Sequence, residues 1–478
     1  MTVSSSSGPA GVAPPHSSGI RVIVVGLGIG GLAAAIECHR KGHTVRAFDK
    51  RPVHTQTKGD LLGLSTNSAR VVSKWGNGAI HEILYNIKNG TGSTLICDKS
   101  GKPIVPADMT GVQKNDGYWV LRSTLASVLF EHAKSLGIDL HVGPEAEVSD
   151  YWESEDEAGV IVNGKQYTAD CVICCDGINS KGRQLILKED PPFIPTAEHA
   201  FRTSFATKEL AMDSEAKWLL EGTEETDLGK IFKGPGLEIG FSSFENGRDF
   251  VLVAMYNGEN AIQKLGKLPD NLDDVGHLMS DWPIRSKFEA VFKYAPQENT
   301  LHHPLAMRAP LKTWVSSGGR MIVIGDAAHA LLPILGQGGS QAIEDAAAIA
   351  ITLELAGKSN VPLALQIAEK IRKPRATIIQ QSSRVVHDEW YNQDWDAVAK
   401  DPTSMKSSRP GWILNHNCQV HTYEEYERAL HAIQTGQEYI PRDLPMDGQL
   451  GIADKMTTWE KYKATTDDKP CFLEKTCL

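Results

Sequence analysis

Residues 26–31 read Gly-Leu-Gly-Ile-Gly-Gly and satisfy the pattern GxGxxG. Gly26 permits a tight turn, Gly28 lets backbone approach a pyrophosphate, and Gly31 lets a helix pack closely on its strand. The N–H groups that open the following helix add partial positive charge where phosphates would sit. Asp49, twenty-three residues after Gly26, is placed to accept hydrogen bonds from an adenosine ribose. The chemistry is dinucleotide binding, and this motif alone does not separate FAD from NAD.

Two further segments point to a flavin. Residues 319–345 place Asp326 directly after an apolar run, with Gly336, Gly338 and Gly339 ahead of a long helical stretch. A carboxylate there can bond a ribityl hydroxyl. A helix N-terminus behind it can face a flavin pyrimidine and stabilise negative charge on the reduced ring. An ordinary strand–loop–helix connection explains neither the acid nor its distance from the glycines. Residues 170–183 (DCVICCDGINSKGR) add Asp176-Gly177, Ser180 and Arg183, another carboxylate at a strand end. Alone, an Asp-Gly turn is commonplace.

These residues need elements to hold them. Residues 21–25 (RVIVV) form a short apolar run suited to a buried parallel strand, followed by a helix-forming stretch to Gly42 and a second strand at 44–48. That is the start of a βαβ unit. Residues 65–76 and 121–137 carry helical patterns, and 138–175 alternates short strands with turns. From about 190 to 300 the pattern is rich in strands and loops. Residues 320–325 return to a buried strand, and a helix runs to Gly357. The expected fold is α/β, a Rossmann-like FAD-binding domain with an inserted, mostly β substrate domain and C-terminal helices. Its expected parts are a flexible tail at 1–19, the FAD-binding domain at 20–190 and 301–360, the insertion at 191–300, and a helical region at 361–478.

The composition narrows the partners. The chain has 478 residues, 41 % of them hydrophobic, so it has apolar area enough to fold and is not expected to be disordered. A formal charge of −10 without a basic tract disfavours nucleic acid and anionic membranes. No stretch approaches the roughly 20 apolar residues of a membrane span. Eight cysteines in 478 residues are too sparse for a disulfide framework and fit a reduced, cytoplasmic setting. No metal-binding pattern and no protein partner is indicated.

Taken together, the three fingerprints at 26–31, 176–183 and 325–345 resemble the class A flavoprotein monooxygenases, the family of salicylate and p-hydroxybenzoate hydroxylases. Asn67 and Arg70 in STNSARV, Arg122 in VLRSTL, PLKTW at 310–314 and IRKPRA at 371–376 extend the resemblance over most of residues 20–390. It implies that Asp49, Arg122, Asp326 and Gly339 contact FAD, and that the segment from Gly59 to Gly63 lies near the flavin ring. Asp49 stands where the family more usually has glutamate, Ser340 where it often has asparagine, and Gly182 where a hydrophobic residue precedes the arginine.

The family's cycle implies that NADH or NADPH, bound transiently, reduces FAD, and that O2 then adds at C4a. The resulting hydroperoxide delivers oxygen to an electron-rich ring, without a metal. Candidate catalytic residues are Arg122, able to donate to a developing oxyanion as well as to the cofactor, and Arg202, able to hold a substrate oxygen. A surface arginine on a strand is an equal reading of Arg202. His329 in GDAAHALLP reads as a positioning residue rather than a base, and Tyr256 and Trp218 as packing residues. Within the family, GDLLGLSTNSAR, LFEHAKSLGI and the extended C-terminus are similar to fungal secondary-metabolism members. Those include enzymes that epoxidise the indole 2,3-bond of prenylated alkaloids to give oxindoles or spiro-oxindoles. A phenol or salicylate hydroxylase and a flavin dehydrogenase that inserts no oxygen are the alternatives.

Overall fold

The computed structural model describes residues 17–52, 61–90, 94–105, 117–188, 190–405 and 411–444. The tail expected at 1–19 therefore lies almost wholly outside the described residues, as do Gly59 and Asp60.

Five parallel strands form the first sheet, in the order Met321–Val323, Cys171–Cys174, Arg21–Val25, Thr44–Asp49, Asp139–Val142. The strands Met321–Val323, Cys171–Cys174 and Arg21–Val25 are apolar and buried apart from Arg21, as expected where helices cover both faces of a parallel sheet. The helix Ile29–Arg40 packs on the helix Gly338–Ala356, and a run of alanines in each lets the two axes approach. Two small antiparallel sheets flank this layer. One joins Leu61–Leu64 to Tyr118–Leu121, and the other joins Val148–Glu153, Ala158–Val162 and Lys165–Ala169.

The large sheet has seven strands, in the order Leu301–Arg308, Phe193–Ala206, Asp249–Asn257, Leu237–Phe244, Gly229–Gly234, Thr94–Asp98, Pro103–Val105. It reaches outside 191–300 on both sides, because its edges are completed by residues 94–105 and 301–308. The segment 191–300 is also less β-rich than its pattern predicts. Helices at Gly258–Leu265, Leu272–Leu278 and Arg285–Phe292 supply a cover for one face of the sheet. Asn257 and Asn271 start the first two by accepting from the N–H groups of Asn260 and Asp274, local caps that a reading by alternation overlooks.

The C-terminal part is led by the 31-residue helix Val361–Tyr391, which runs through Pro374. It crosses beneath Gly338–Ala356 and ends against the large sheet, where Trp390 and Trp395 meet Ile96 and Ile231. No helix among the described residues is long and apolar enough to cross a membrane.

Candidate cofactor and substrate site

The GxGxxG segment forms the turn between the strand Arg21–Val25 and its helix. Gly26 sits at φ +90°, a conformation that favours glycine, and a Cβ there would lie 2.5 Å from the Cys175 carbonyl oxygen. A Cβ on Gly31 would lie 1.7 Å from the Gly26 carbonyl oxygen. Gly28 is different, since nothing stands within 4 Å of the position its Cβ would take. Its helix opens there with no side-chain cap and no acid in the first turn. The opening is thus free for an anion. Asp49 is buried beside it, and its carboxylate accepts from the N–H of Leu27 at 2.7 Å and of Arg51 at 2.8 Å. A carboxylate has about four acceptor positions, so capacity for a ribose diol remains.

A second helix opening adjoins the first. The chain leaves Met321–Val323, turns at Gly325 (φ +59°) and exposes Asp326. Among the described residues the Asp326 carboxylate has no hydrogen-bond partner, and a Cβ on Gly338 would lie 3.9 Å from its Oδ1. Gly336 at φ +62° makes the turn into the helix Gly338–Ala356, which likewise starts without a side-chain cap or an acid. The two openings meet where a Cβ on Gly30 would come 3.0 Å from the Ala342 Cβ. Gly339 faces Leu64 and Leu62 of the strand Leu61–Leu64, and Gly63 faces the Trp119 ring across the strand pair. This strand pair leads straight into the helix Arg122–Ser135, so Arg122, exposed, stands at its first position.

A buried ionic network fixes the second opening from below. Asp345 accepts from the Gly325 N–H at 3.2 Å, contacts His329 Nε2 at 2.6 Å, and accepts from Arg372 Nε at 3.0 Å. His329 is buried against Trp314 and this carboxylate, the geometry of a positioning residue. Glu344 accepts from Arg372, Arg375 and Asn67, and Asn67 also donates to Gln337 at the helix start. Burial pushes the Glu344 carboxyl up, but Arg375 and Arg372 outweigh it and hold the group well below the usual carboxylate range. Asp345 is held down by His329 and Arg372 against the same burial. The arginines of IRKPRA and Asn67 thus belong to this support, whereas Arg70 donates to the carbonyls of Leu414 and His416.

The segment around Asp176 is a brace between the same parts. Asp176 accepts from the Gly182 N–H at 3.0 Å and from the Cys174 thiol, which closes the turn. Arg183, fully buried, donates to the carbonyls of Ala327 and Ile178. Arg308 also reaches the Ile178 carbonyl, at 2.8 Å, a contact with no sequence signal.

The large sheet turns its second face toward this region. Arg202, Val253, Gly240 and Ile231 are aligned across four strands and half-buried. In the adjoining row, Ala200 and Met255 pack with Leu332 from the loop after Asp326, and Glu238 and Lys233 lie under Trp390 and Tyr391. Arg202 therefore stands one row from the point where the Asp326 loop touches the sheet. A cavity of about 350 Å³ borders Ser204, two residues along the strand, and Leu121, the neighbour of Arg122. Tyr256 and Trp218 lie on the opposite face among aromatic rings and pack.

The chain's donor set suits a flavin dinucleotide. Two uncapped helix starts meet, and an acid stands on each side: Asp49 at the end of Thr44–Asp49 and Asp326 just after Met321–Val323. A family model described as "FAD binding domain" matches residues 19–222 and 295–383. The chain is 43 % identical to asperlicin C monooxygenase of Petromyces alliaceus, over 94 % of this chain and 98 % of that protein. The crystal structure of native FqzB superposes with a TM-score of 0.80 at 40 % identity, covering 91 % of this chain and 99 % of that one. CtdE, solved in complex with FAD and a substrate, gives 0.79 at 36 % identity, covering 87 % and 100 %.

Proposed function

This chain belongs to the FAD binding domain family and is an FAD-dependent monooxygenase of the class A type, and on that premise we propose that it oxygenates the 2,3-bond of a bulky indole alkaloid. NADPH or NADH serves as the transient reductant, and O2 supplies the oxygen atom. The observation that carries the cofactor part is the meeting of two uncapped helix starts at Gly30 and Ala342.

Bound there, FAD supplies hydride acceptance and oxygen activation, chemistry that no side chain provides. The N–H groups after Gly26 and Gly28 hold the pyrophosphate, with Gly31 keeping the helix close. Asp49 binds the adenosine ribose and Asp326 the ribityl chain. The N–H groups of Gly338 and Gly339, after the turn at Gly336, stabilise negative charge on the pyrimidine. The strand carrying Gly63 would lie near the flavin, Arg122 at the adjoining helix start would donate to it, and Asp176 shapes the turn beside the cradle. Arg202 donates to oxygen on the substrate.

The choice of an indole rests on the half-buried row that holds Arg202. Among the described residues, the row of Arg202, Val253, Gly240 and Ile231 carries a donor and apolar surface and no carboxylate. A phenol gains from a base that forms phenolate, whereas indole is nucleophilic without deprotonation. Asperlicin C monooxygenase and notoamide E oxidase of Aspergillus versicolor, at 43 % and 38 % identity, name alkaloid substrates for related chains. The buried cysteines, all unpaired among the described residues, support a reduced, cytoplasmic setting.

The test supplies NADPH or NADH and 18O2 with an indole panel that includes asperlicin C, and separately with a phenol panel that includes salicylate. The expected product is an indole derivative carrying one labelled oxygen. Oxidation confined to phenols favours the ring hydroxylase, and product formed without O2 uptake favours the dehydrogenase.

A further inference from the structure

We propose that His303 is a positioning residue for Arg202, fixing its guanidinium on the substrate side of the large sheet. The proposal rests on the reading that Arg202 faces substrate. It starts from one contact, 2.7 Å between Arg202 Nη2 and His303 Nε2. A guanidinium only donates, so the imidazole accepts with Nε2 and carries its proton on Nδ1.

Strand register makes this meeting specific. Ala200 pairs with His303 and Arg202 with Leu301, so Arg202 and His303 are diagonal neighbours on one face. Ala200 and Leu305 on that face pack with Leu332 of the Asp326 loop. The adjacent histidine goes the other way. His302 stacks on Phe201 at 4.1 Å and meets the Tyr256 hydroxyl on the face covered by helices. Of the two consecutive histidines, one serves packing and the other serves the arginine.

The consequence is geometric. Arginine is long, and several rotamers of Arg202 would leave its donors pointing away from the reacting atoms. One directional bond from a strand-borne imidazole selects among them. Since misplacement by about 1 Å can cost about 100-fold in rate, the effect falls on turnover more than on binding.

The test compares His303→Leu, which lacks the acceptor, with His303→Gln, which retains one, in the FAD-loaded protein. The probe is the panel indole that gives product. His303→Leu is expected to lower kcat roughly 10- to 100-fold with little change in KM. His303→Gln should recover most of the loss, with flavin content normal in both. Arg202→Gln should be equally impaired, and Arg202→Gln/His303→Leu no worse than Arg202→Gln alone, the mark of two residues acting as a unit. Crystals of the loaded wild type and His303→Leu give a reading without substrate, and the guanidinium should be displaced in the variant. If Arg202→Gln is impaired while His303→Leu keeps both wild-type turnover and guanidinium position, the His303 proposal is overturned and the reading of Arg202 stands. If Arg202→Gln turns over normally, the reading of Arg202 falls, and the proposal falls with it whatever the crystals show.

Discussion

Single residues divide into those that shape the cradle and those that wait for a ligand. Gly31 and Gly28 are three positions apart and differ sharply in this respect. A methyl group on Gly31 collides with the Gly26 carbonyl, so Gly31→Ala should destabilise the fold by about 1–3 kcal/mol or more, read by urea unfolding. Gly28→Val meets open space and should cost about 1 kcal/mol or less through poorer capping. Its effect falls on the ligand, and the purified variant should lack the flavin absorption band while unfolding much like the apo wild type. Asp326→Ala belongs with Gly28. The carboxylate has no partner among the described residues, so stability should be unchanged within about 0.5 kcal/mol, and flavin occupancy should drop. Normal occupancy in that variant would contradict the ribityl assignment.

Elements depend on the buried charges that lock them together. The helix Gly338–Ala356 contributes Glu344 and Asp345, and the helix Val361–Tyr391 answers with Arg372 and Arg375. Removing one partner leaves buried charge uncompensated, so Glu344→Ala should cost about 3–5 kcal/mol in thermal or urea unfolding. The pH dependence has a definite sign. The folded carboxyl of Glu344 lies below its unfolded value, so its contribution is complete above the unfolded value near 4.5 and fades as pH falls below it. Unfolding midpoints measured from pH 7 down to 3 should therefore fall for the wild type, and the slope should be shallower in Glu344→Gln. A slope identical in the two proteins would remove Glu344 from the account.

At the scale of the whole molecule, the question is what ties the C-terminal helices to the large sheet. Lys233 and Glu238, on neighbouring strands, are both buried and 2.5 Å apart. The Lys233 ammonium also faces the rings of Trp390, Tyr391 and Trp395 at 4.8, 5.2 and 4.7 Å. Trp390 Nε1 donates to Glu238 at 2.8 Å. This cluster joins chain segments about 150 residues apart and closes the row beside Arg202. Glu238→Gln should strand the ammonium and cost about 3–5 kcal/mol, while Lys233→Met/Glu238→Leu should recover much of that loss. Urea unfolding monitored by tryptophan fluorescence reads both, and equal losses in the single and double variants would argue against a paired charge.

The cofactor half was legible in the chain because its signals are local. Glycines at a strand–helix turn, acids at strand ends and apolar runs of fixed length act within a few residues, so the FAD-binding fold could be read from order and spacing, and Gly26, Asp49 and Asp326 proposed as its cofactor contacts. The large sheet was less legible, because residues 94–105 and 301–308 join it from far along the chain, and its covering helices begin at asparagine caps inside a strand-like pattern. His303, Arg308 and Lys233 were invisible for the same reason. Each matters through a partner that register or packing supplies, and contacts between distant segments are set by the folded whole. By itself the amino-acid order determined the FAD-binding domain and the strand–turn–helix elements that build it. Only the tertiary structure decided which groups surround Arg202 on the large sheet, since strand pairing and helix docking choose those neighbours.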